Sequence, residues 1–122
     1  MSRDGGLLRI VVKRSGAVLA TRASTARSLV SRMVGLLSRA SLASGEGLVI
    51  ERCRSIHMWF MRFPIDAVFV DGAWRVVALW KRLPPWRVTP VVWRATQVLE
   101  LPAGAAEAAG VEVGDELLVQ GA

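Results

Sequence analysis

Two apolar runs joined by an Asp-Gly pair constrain the fold of this chain more than any other feature of its sequence. The runs are IDAVFV, at 65–70, and RVVALW, at 75–80, and both are rich in the branched and aromatic residues that favour β-strands. Asp71-Gly72 lies between them, and an Asp-Gly pair in this position is typical of a tight hairpin turn. The sequence therefore predicts an antiparallel β-hairpin in this region.

Further short β-rich runs, separated by turn residues, occupy most of the remaining sequence. Pro64 has no backbone N–H and disfavours a helical backbone at Phe63, so the apolar run before it is predicted to be a separate strand. Turn residues at 14–16 predict a hairpin near the start of the chain, and a turn at Gly114-Asp115 precedes a last strand. The other predicted strands are 7–13, 17–21, 47–51, 56–61 and 97–101.

One amphipathic helix is predicted near residues 25–37. Ser24 or Thr25 can accept a hydrogen bond from an exposed backbone N–H at its start. Its apolar residues recur at spacings of three and four, which is typical of a helix with one buried face. These residues are Leu29, Val30, Met33, Leu36 and Leu37. The region 105–110 is expected to form a single helical turn at most.

Together, these elements indicate a mainly β or α+β fold. We expect a compact, barrel-like antiparallel domain of about seven to eight short strands with one helix. The 122 residues are enough for one hydrophobic core, and 52% of them are hydrophobic. A single domain over 1–122 is therefore predicted, with its core at about 7–120 and no linker.

The charge pattern and the cysteine content indicate a cytoplasmic protein. The apolar runs are much shorter than the roughly 20 residues that a membrane-spanning helix needs. Near the N-terminus, Arg9, Lys13 and Arg14 interrupt each apolar run, so no secretory leader is expected. Cys53 is the single cysteine, which excludes an internal disulfide and a cysteine-based metal site.

A single histidine and an aspartate lie within the most apolar part of the sequence. Side chains alternate along a strand, so Asp66 shares a face with Val68 and is expected to point inward. A carboxylate in such a place must find hydrogen-bond donors or take up a proton. If the preceding run is a neighbouring strand, His57 and an arginine such as Arg54 or Arg62 complete a small polar cluster.

Two interpretations of this cluster stay open. In one, His57 and Asp66 are an acid–base pair or the polar part of a binding pocket, because a carboxylate orients a nearby imidazole and favours its protonation. In the other, they form a hydrogen-bonded network that stabilises the bend at Pro64. Glu100 presents a similar choice, since it shares a face with Val98 and either pairs with an arginine or faces water from an edge strand.

Metal and cofactor chemistry are not indicated. One histidine among scattered carboxylates lacks the clustered His and Cys ligands of a zinc site. A catalytic pair of Cys53 and His57 is disfavoured as well, because positions four apart in a strand are separated by about 13 Å. The sequence predicts no metal, no cofactor and, on balance, no enzymatic activity.

The net charge of +6 raises the question of a polyanionic partner. The segment 80–94 interleaves tryptophans with cations, as do proteins that stack nucleic-acid bases. Against this interpretation, the sequence has no RNP, zinc-finger or helix-turn-helix motif, and an arginine-dominated excess is typical of GC-rich coding. The candidate residues for such a surface are Lys81, Arg82, Trp86, Arg87 and Arg94.

Three segments together resemble an uncharacterised bacterial and archaeal family, domain of unknown function 192. They are RMVGLLSR at 32–39, HMWFMRFPIDAVFVDG at 57–72, and VLELPAG at 98–104 followed by GVEVGDEL at 110–117. The resemblance implies a small barrel-like β domain with one short helix, and it implies no activity. Many members resemble exported proteins with an N-terminal signal, from which this chain departs. The family's motif positions fall on Arg32, Gly35, Leu36, Arg39, Trp59, Met61, Pro64, Asp66, Asp71, Glu100, Pro102, Gly104, Gly114 and Asp115.

The leading hypothesis is therefore a non-enzymatic accessory domain that binds a small ligand or a protein partner. One alternative is a small acid–base enzyme that uses His57 and Asp66. The other is a domain that binds RNA or an acidic partner through 80–94. The binding site of the leading hypothesis is a cleft lined by Trp59, Met61 and Pro64, with Asp66, His57 and Glu100 as its polar residues.

Overall fold

The structure is a computed structural model that describes residues 6–26 and 41–121. This part of the chain contains seven strands and one short helix. The elements are β1 (Leu8–Val12), β2 (Val18–Ala26), β3 (Glu46–Glu51), β4 (Ile65–Val70), β5 (Val76–Leu83), β6 (Gln97–Pro102), α1 (Ala105–Ala109) and β7 (Leu117–Gly121). The strands form one sheet in the order β5-β4-β6-β3-β2-β1-β7.

The sheet curls until its two edge strands approach each other at one end. Arg75, just before β5, bridges Glu116, just before β7. The N–H of Val76 donates to the carbonyl of Asp115 at 2.8 Å, and the N–H of Leu117 donates to that of Trp74 at 2.9 Å. The result is a half-barrel, which confirms the barrel-like fold expected from the sequence.

One strand pair departs from the predicted antiparallel arrangement. β2 and β3 run parallel, with Arg22 opposite Glu46 and Ala26 opposite Ile50. A parallel pair needs a crossover of about a dozen residues or more, and the stretch between these two strands is long enough for one. The sheet is therefore mixed, and the expectation of a purely antiparallel domain was wrong on this point.

β4 lies inside the sheet and is buried along its whole length. On one face, Val68 and Val70 belong to a hydrophobic cluster with residues of β1, β6 and β7. On the other face, Ala67 and Phe69 belong to a second cluster, which includes Met58 and other residues of the loop before β4. The strand therefore separates two hydrophobic cores.

The loop before β4 is not the strand that was predicted at 56–61. It is joined to the loop after β5 by a single bridge between His57 and Val88 and by hydrogen bonds at Met58. The left-handed backbone of Phe60, with φ of 66°, breaks the extended path that a strand requires. Local apolar content was therefore a poor guide here, because the turn at Phe60 interrupts an otherwise β-rich run.

The two helical predictions have different outcomes. Residues 25 and 26 of the predicted helix are the end of β2, and the rest of that helix lies outside the described residues. The single helical turn expected at 105–110 is confirmed as α1.

The predicted hairpin of β4 and β5 is confirmed, and its turn is stabilised by an aspartate. Oδ1 of Asp71 accepts hydrogen bonds from the N–H groups of Ala73, at 2.9 Å, and Arg75, at 3.0 Å. The backbone hydrogen bond from Arg75 is the main cause that lowers the pKa of Asp71. The turn is longer than the two-residue form, because Asp71 N–H donates to the carbonyl of Arg75.

A bidentate ion pair joins the β1–β2 turn to the segment before β7. Arg14 donates from Nε and Nη2 to the two carboxylate oxygens of Asp115, at 2.8 and 2.9 Å. Oδ2 of Asp115 also accepts from the N–H of Glu112 at 2.8 Å. The hydrogen bond from Arg14 is the main cause that lowers the pKa of Asp115.

These two aspartates predict acid sensitivity. Their pKa values are lower in the folded state than the value of about 3.9 for an unfolded aspartate. Their stabilising effect is therefore complete above the unfolded pKa and is lost as the pH falls through the folded pKa. We expect the free energy of unfolding, measured with urea at fixed pH, to fall below about pH 4.

Substitution of one aspartate tests this origin. Asp115→Asn is expected to reduce the fall in stability between neutral and acid pH, because it removes one carboxylate with a lowered pKa. Glu51→Gln, at an exposed carboxylate at the end of β3, is the control and is expected to leave the contribution of Asp115 to the pH dependence in place. An unchanged pH dependence in Asp115→Asn would contradict the assignment.

Candidate functional site

Asp66 is fully buried in β4, and its carboxylate is enclosed by backbone donors. Oδ1 accepts a hydrogen bond from the N–H of Arg82 at 2.8 Å. Oδ2 accepts from the N–H groups of Gly104, at 3.1 Å, and Ala106, at 2.8 Å. The predicted inward orientation of Asp66 is confirmed. Its donors come from the backbone of β5 and of the turn into α1.

Local backbone conformations aim these donors at the carboxylate. Arg82 has a left-handed backbone in β5, with φ of 53°. Gly104, just before α1, has φ of 97°, a conformation that only glycine adopts readily. Oδ2 of Asp66 also satisfies the N–H of Ala106, which is within the first turn of α1 and has no partner inside so short a helix. Asp66 therefore joins β4, β5 and α1.

The structure does not bring His57 and Asp66 together on one face of β4. The loop that carries His57 packs against the face formed by Ala67 and Phe69, whereas Asp66 lies on the opposite face, with Val68. The donors to Asp66 are backbone N–H groups and not the arginines that the sequence suggested. The acid–base pair stays a prediction without support from this geometry.

Glu100 is also fully buried, but it lies on the other side of the sheet from Asp66. It is in β6, between β3 and β4, and is aligned with Leu48 and Ala67. Ala67 belongs to the second hydrophobic cluster, as does Val98 two residues before Glu100. The interpretation of Glu100 as a water-facing carboxylate on an edge strand was therefore wrong.

Four large apolar side chains are exposed where the loop before β4 meets the loop after β5. The exposed fractions are 51% for Trp59, 59% for Phe60, 60% for Trp86 and 63% for Val88. The rings of Phe60 and Trp86 meet edge to face, with centroids 5.0 Å apart. The ring of His57 lies 4.9 Å from the ring of Trp59, and the backbone of His57 bridges Val88, so His57 connects these two residues. We call these four residues the aromatic surface.

Two members of the aromatic surface have a strained backbone. Phe60 and Trp86 have φ of 66° and 67°, in the left-handed region that bulky residues rarely adopt. Such a conformation costs of the order of 1–3 kcal/mol and persists only when the surroundings determine it. Here the carbonyl of Met58 contributes at both positions, because it accepts from the N–H of Trp86 at 2.7 Å and from the N–H of Met61, after Phe60, at 3.2 Å.

The other predicted site residues are dispersed. Met61 is buried in the second core, and Pro64 is exposed. In the predicted polyanion surface, Trp86 belongs to the aromatic surface and Arg87 follows it in the chain, whereas the side chain of Arg82 pairs with Glu107 of α1 at 3.2 Å. Lys81 and Arg94 are exposed elsewhere on β5 and on the loop after it.

Sequence reasoning missed Phe60 and Val88. Both belong to apolar runs that looked like strand or proline-rich loop, and nothing local marks the backbone turn that exposes Phe60. In the sequence, the adjacent aromatic residues Trp59 and Phe60, shortly before Pro64, are the one sign of an unusual surface in this region.

The described part of the chain shows neither a metal site nor a membrane span. Among these residues, no three His, Cys, Asp or Glu side chains are grouped so that they could hold a metal ion. The helix in this part of the chain is too short to cross a membrane.

The curled sheet and its buried aspartate define a small half-barrel β domain. The chain belongs to the family named domain of unknown function 192 and described as an uncharacterised ACR, whose sequence profile matches residues 10–119. The resemblance inferred from the three motifs is thus confirmed. The motif positions at 32–39 lie outside the described residues.

Archaeal relatives bear the name UPF0127 protein. A UPF0127 protein of Pyrococcus horikoshii is 35% identical over 95 residues, which cover 75% of this chain and 82% of that protein. A UPF0127 protein of Thermococcus sibiricus is 41% identical over 63 residues, which cover 52% of this chain and 40% of that protein. The matched region thus spans less than half of the Thermococcus protein.

Two crystal structures share the fold. A protein of unknown function from Novosphingobium aromaticivorans superposes with a TM-score of 0.77 at 24% identity, covering 92% of this chain and 83% of that one. A proposed transcription regulator from Sinorhizobium meliloti superposes with a TM-score of 0.76 at 22% identity, covering 97% and 98% of the two chains. At these identities the likeness concerns the fold alone.

The contacts of Asp66 predict a large effect of its removal on stability. Asp66→Ala leaves three backbone N–H groups without their acceptor, and each such group costs about 1–3 kcal/mol when buried. We therefore expect the free energy of unfolding in urea to fall by about 3 kcal/mol or more. Asp66→Asn is expected to cost less, since one oxygen remains, although its NH₂ group faces N–H donors.

An exposed acid provides the control for this experiment. Glu112→Ala also removes a carboxylate, but the side chain of Glu112 is exposed, so a change within about 0.5 kcal/mol is expected. If Asp66→Ala lowers the free energy of unfolding no more than Glu112→Ala does, the carboxylate of Asp66 does not hold β4, β5 and α1 together.

Proposed function

We propose that this protein is a non-enzymatic binding domain that docks a partner protein through the aromatic surface. The observation that carries the proposal is the joint exposure of Trp59, Phe60, Trp86 and Val88. Single exposed apolar residues are common on protein surfaces, but a contiguous group is typical of interaction sites. The rings of Phe60 and Trp86 contact each other, and Trp59 directly precedes Phe60 in the chain. His57, whose ring contacts that of Trp59, bridges Val88 through its backbone.

Backbone strain supports the same proposal. Phe60 and Trp86 have a conformation that glycine would adopt without cost, and strain of this kind clusters at binding and catalytic sites. Tryptophan is also among the residues that most often dominate the energy of protein interfaces. A role in recognition accounts for aromatic side chains at positions where stability favours glycine.

The chemistry of the surroundings indicates the type of partner. Arg62 and Arg87 are exposed next to the aromatic surface in sequence. An apolar centre with a cationic rim is complementary to a segment that carries an apolar anchor and flanking acidic residues. A protein partner is favoured over a small molecule, because these side chains are exposed and none of the four lines the hollows near Arg52 and Thr96.

A displayed peptide library tests this proposal directly. Peptides selected on the original chain are expected to contain an aromatic or aliphatic anchor with nearby Asp or Glu. The double substitution Phe60→Gly with Trp86→Gly removes two anchors and keeps the left-handed backbone. It is expected to weaken binding by about 2 kcal/mol or more, or roughly 30-fold in Kd, as measured by fluorescence anisotropy.

The matched control is Trp93→Ser. Trp93 is 77% exposed but is not part of the aromatic surface, so the Kd of a selected peptide is expected to change less than about twofold. Both variants are expected to unfold cooperatively in urea. Selected peptides whose Kd is the same in the double variant as in the original chain would contradict the proposal.

Nucleic acid is the second candidate partner. Trp86-Arg87 and Trp93-Arg94 are exposed pairs of the kind that stack bases and contact phosphates. If a single-stranded oligonucleotide binds with steep salt dependence and Trp93→Ser abolishes that binding, nucleic acid is the partner. The edge-to-face packing of Phe60 and Trp86 favours the protein partner, because it does not offer two parallel ring faces to successive bases.

A further inference from the structure

Two neighbouring hollows lie at the opposite end of the same loops from the aromatic surface. Their volumes are about 600 and 320 Å³. Both are lined by Arg52 and Thr96, and we call the two neighbouring hollows together the basic cleft. Its lining residues are Glu51, Arg52, Arg54, Gly72, Ala95, Thr96 and Gln97.

Backbone hydrogen bonds fix the two walls of the basic cleft. The N–H of Cys53 donates to the carbonyl of Thr96 at 3.1 Å, and the N–H of Val92 donates to that of Arg54 at 2.7 Å. Nε of Arg54 donates to the carbonyl of Ala95 at 3.1 Å. The last contact orients the guanidinium of Arg54 and uses only Nε, so no hydrogen bond within the described residues occupies its terminal nitrogens.

Arg52 is held in an unusual conformation at the centre of the basic cleft. Its φ of 52° lies in the left-handed region, where a side chain with a Cβ is strained. Within the described residues, neither Arg52 nor Arg54 forms an ion pair with a carboxylate. Two guanidinium groups therefore line one hollow without a fixed counter-charge, although Glu51 contributes one negative charge to the same wall.

The carboxylate of Asp71, next to the cleft in sequence, already accepts hydrogen bonds within the fold. Asp71 precedes Gly72 of the lining, and its Oδ1 accepts from two N–H groups of the hairpin turn. The positive charge of Arg94 also contributes to lowering the pKa of Asp71, which places a further cation near this rim. The positive charges thus exceed the negative ones around the cleft.

We propose that the basic cleft binds an anionic small molecule through a phosphate or carboxylate group held by Arg52 and Arg54. Guanidinium groups match oxyanions because their planar donors bind two oxygens at once. Thr96 and Gln97 line the same cleft and are polar groups available to the rest of the ligand, although the hydroxyl of Thr96 already donates to the carbonyl of Val70 at 3.4 Å. The volumes match the range of about 300–1,000 Å³ that is typical of sites for small molecules.

This site is separate from the aromatic surface, and the proposal goes beyond the proposed function. Its failure and that of partner docking are therefore distinguishable. A chain that binds anions but no peptide, or peptide but no anion, supports one proposal and refutes the other.

Titration calorimetry with inorganic pyrophosphate and with citrate, in 0.15 M NaCl, tests the basic cleft. Saturable binding of either probe to the original chain is expected, and the preferred probe identifies phosphate or carboxylate as the bound group. Arg52→Gly removes the guanidinium and suits the left-handed backbone, so the fold is preserved. It is expected to weaken binding at least about tenfold, as is Arg54→Gln, because each removes a charge-assisted contact.

Arg82→Gly is the matched control. Arg82 has nearly the same φ, 53°, and its loss changes the net charge by the same amount, but its side chain lies beside Glu107 and outside the cleft. We expect its Kd for the probe to stay within about twofold of the original value. The absence of saturable binding by both probes, or equal weakening in Arg52→Gly and Arg82→Gly, would overturn the proposal.

Discussion

A carboxylate in a protein interior is tolerated only when hydrogen-bond donors replace its lost water, and the rest of this structure depends on how that requirement is met at Asp66. Three backbone N–H groups surround it, from Arg82, Gly104 and Ala106. None of these donors has a regular place in a strand ladder or a helix interior, since one belongs to a left-handed residue of β5 and two belong to the start of α1. The carboxylate of Asp66 therefore needs these N–H groups as donors, and the N–H groups need the carboxylate as their acceptor. Loss of either is expected to destabilise the other.

This arrangement also explains how a rigid interior supports an exposed aromatic surface. β4 is fixed on one face by the contacts of Asp66, and its other face packs against the loop that contains Met58. Met58 is itself fully buried, and its backbone hydrogen bonds hold Trp86 and Arg87 of the second loop. The strained backbone at Phe60 and Trp86 thus persists because the carbonyl of Met58, a residue of the second core, accepts hydrogen bonds from the N–H groups of Met61 and Trp86.

The sequence predicted β4 residue for residue because local signals bound it on both sides, with Pro64 before it and Asp71-Gly72 after it. The inward orientation of Asp66 followed from alternation alone. Predictions failed where the answer depends on distant partners. Glu100 is buried because β3 and β4 flank its strand, and the loop around Met58 is irregular because it pairs with residues about thirty positions later. Neither relation has a local sequence signal.

The two proposed sites share one backbone feature, which is a left-handed conformation at residues that are not glycine. Five non-glycine residues of the described chain have a left-handed backbone, and three of them, Arg52, Phe60 and Trp86, lie in the basic cleft or on the aromatic surface. Each such residue costs of the order of 1–3 kcal/mol, against a typical domain stability of about 5–15 kcal/mol. Glycine at these positions would fold more easily, so folding alone does not account for large side chains there. The two proposals, an anion at Arg52 and an apolar partner at Phe60 and Trp86, would give these side chains contacts outside the fold that offset this cost.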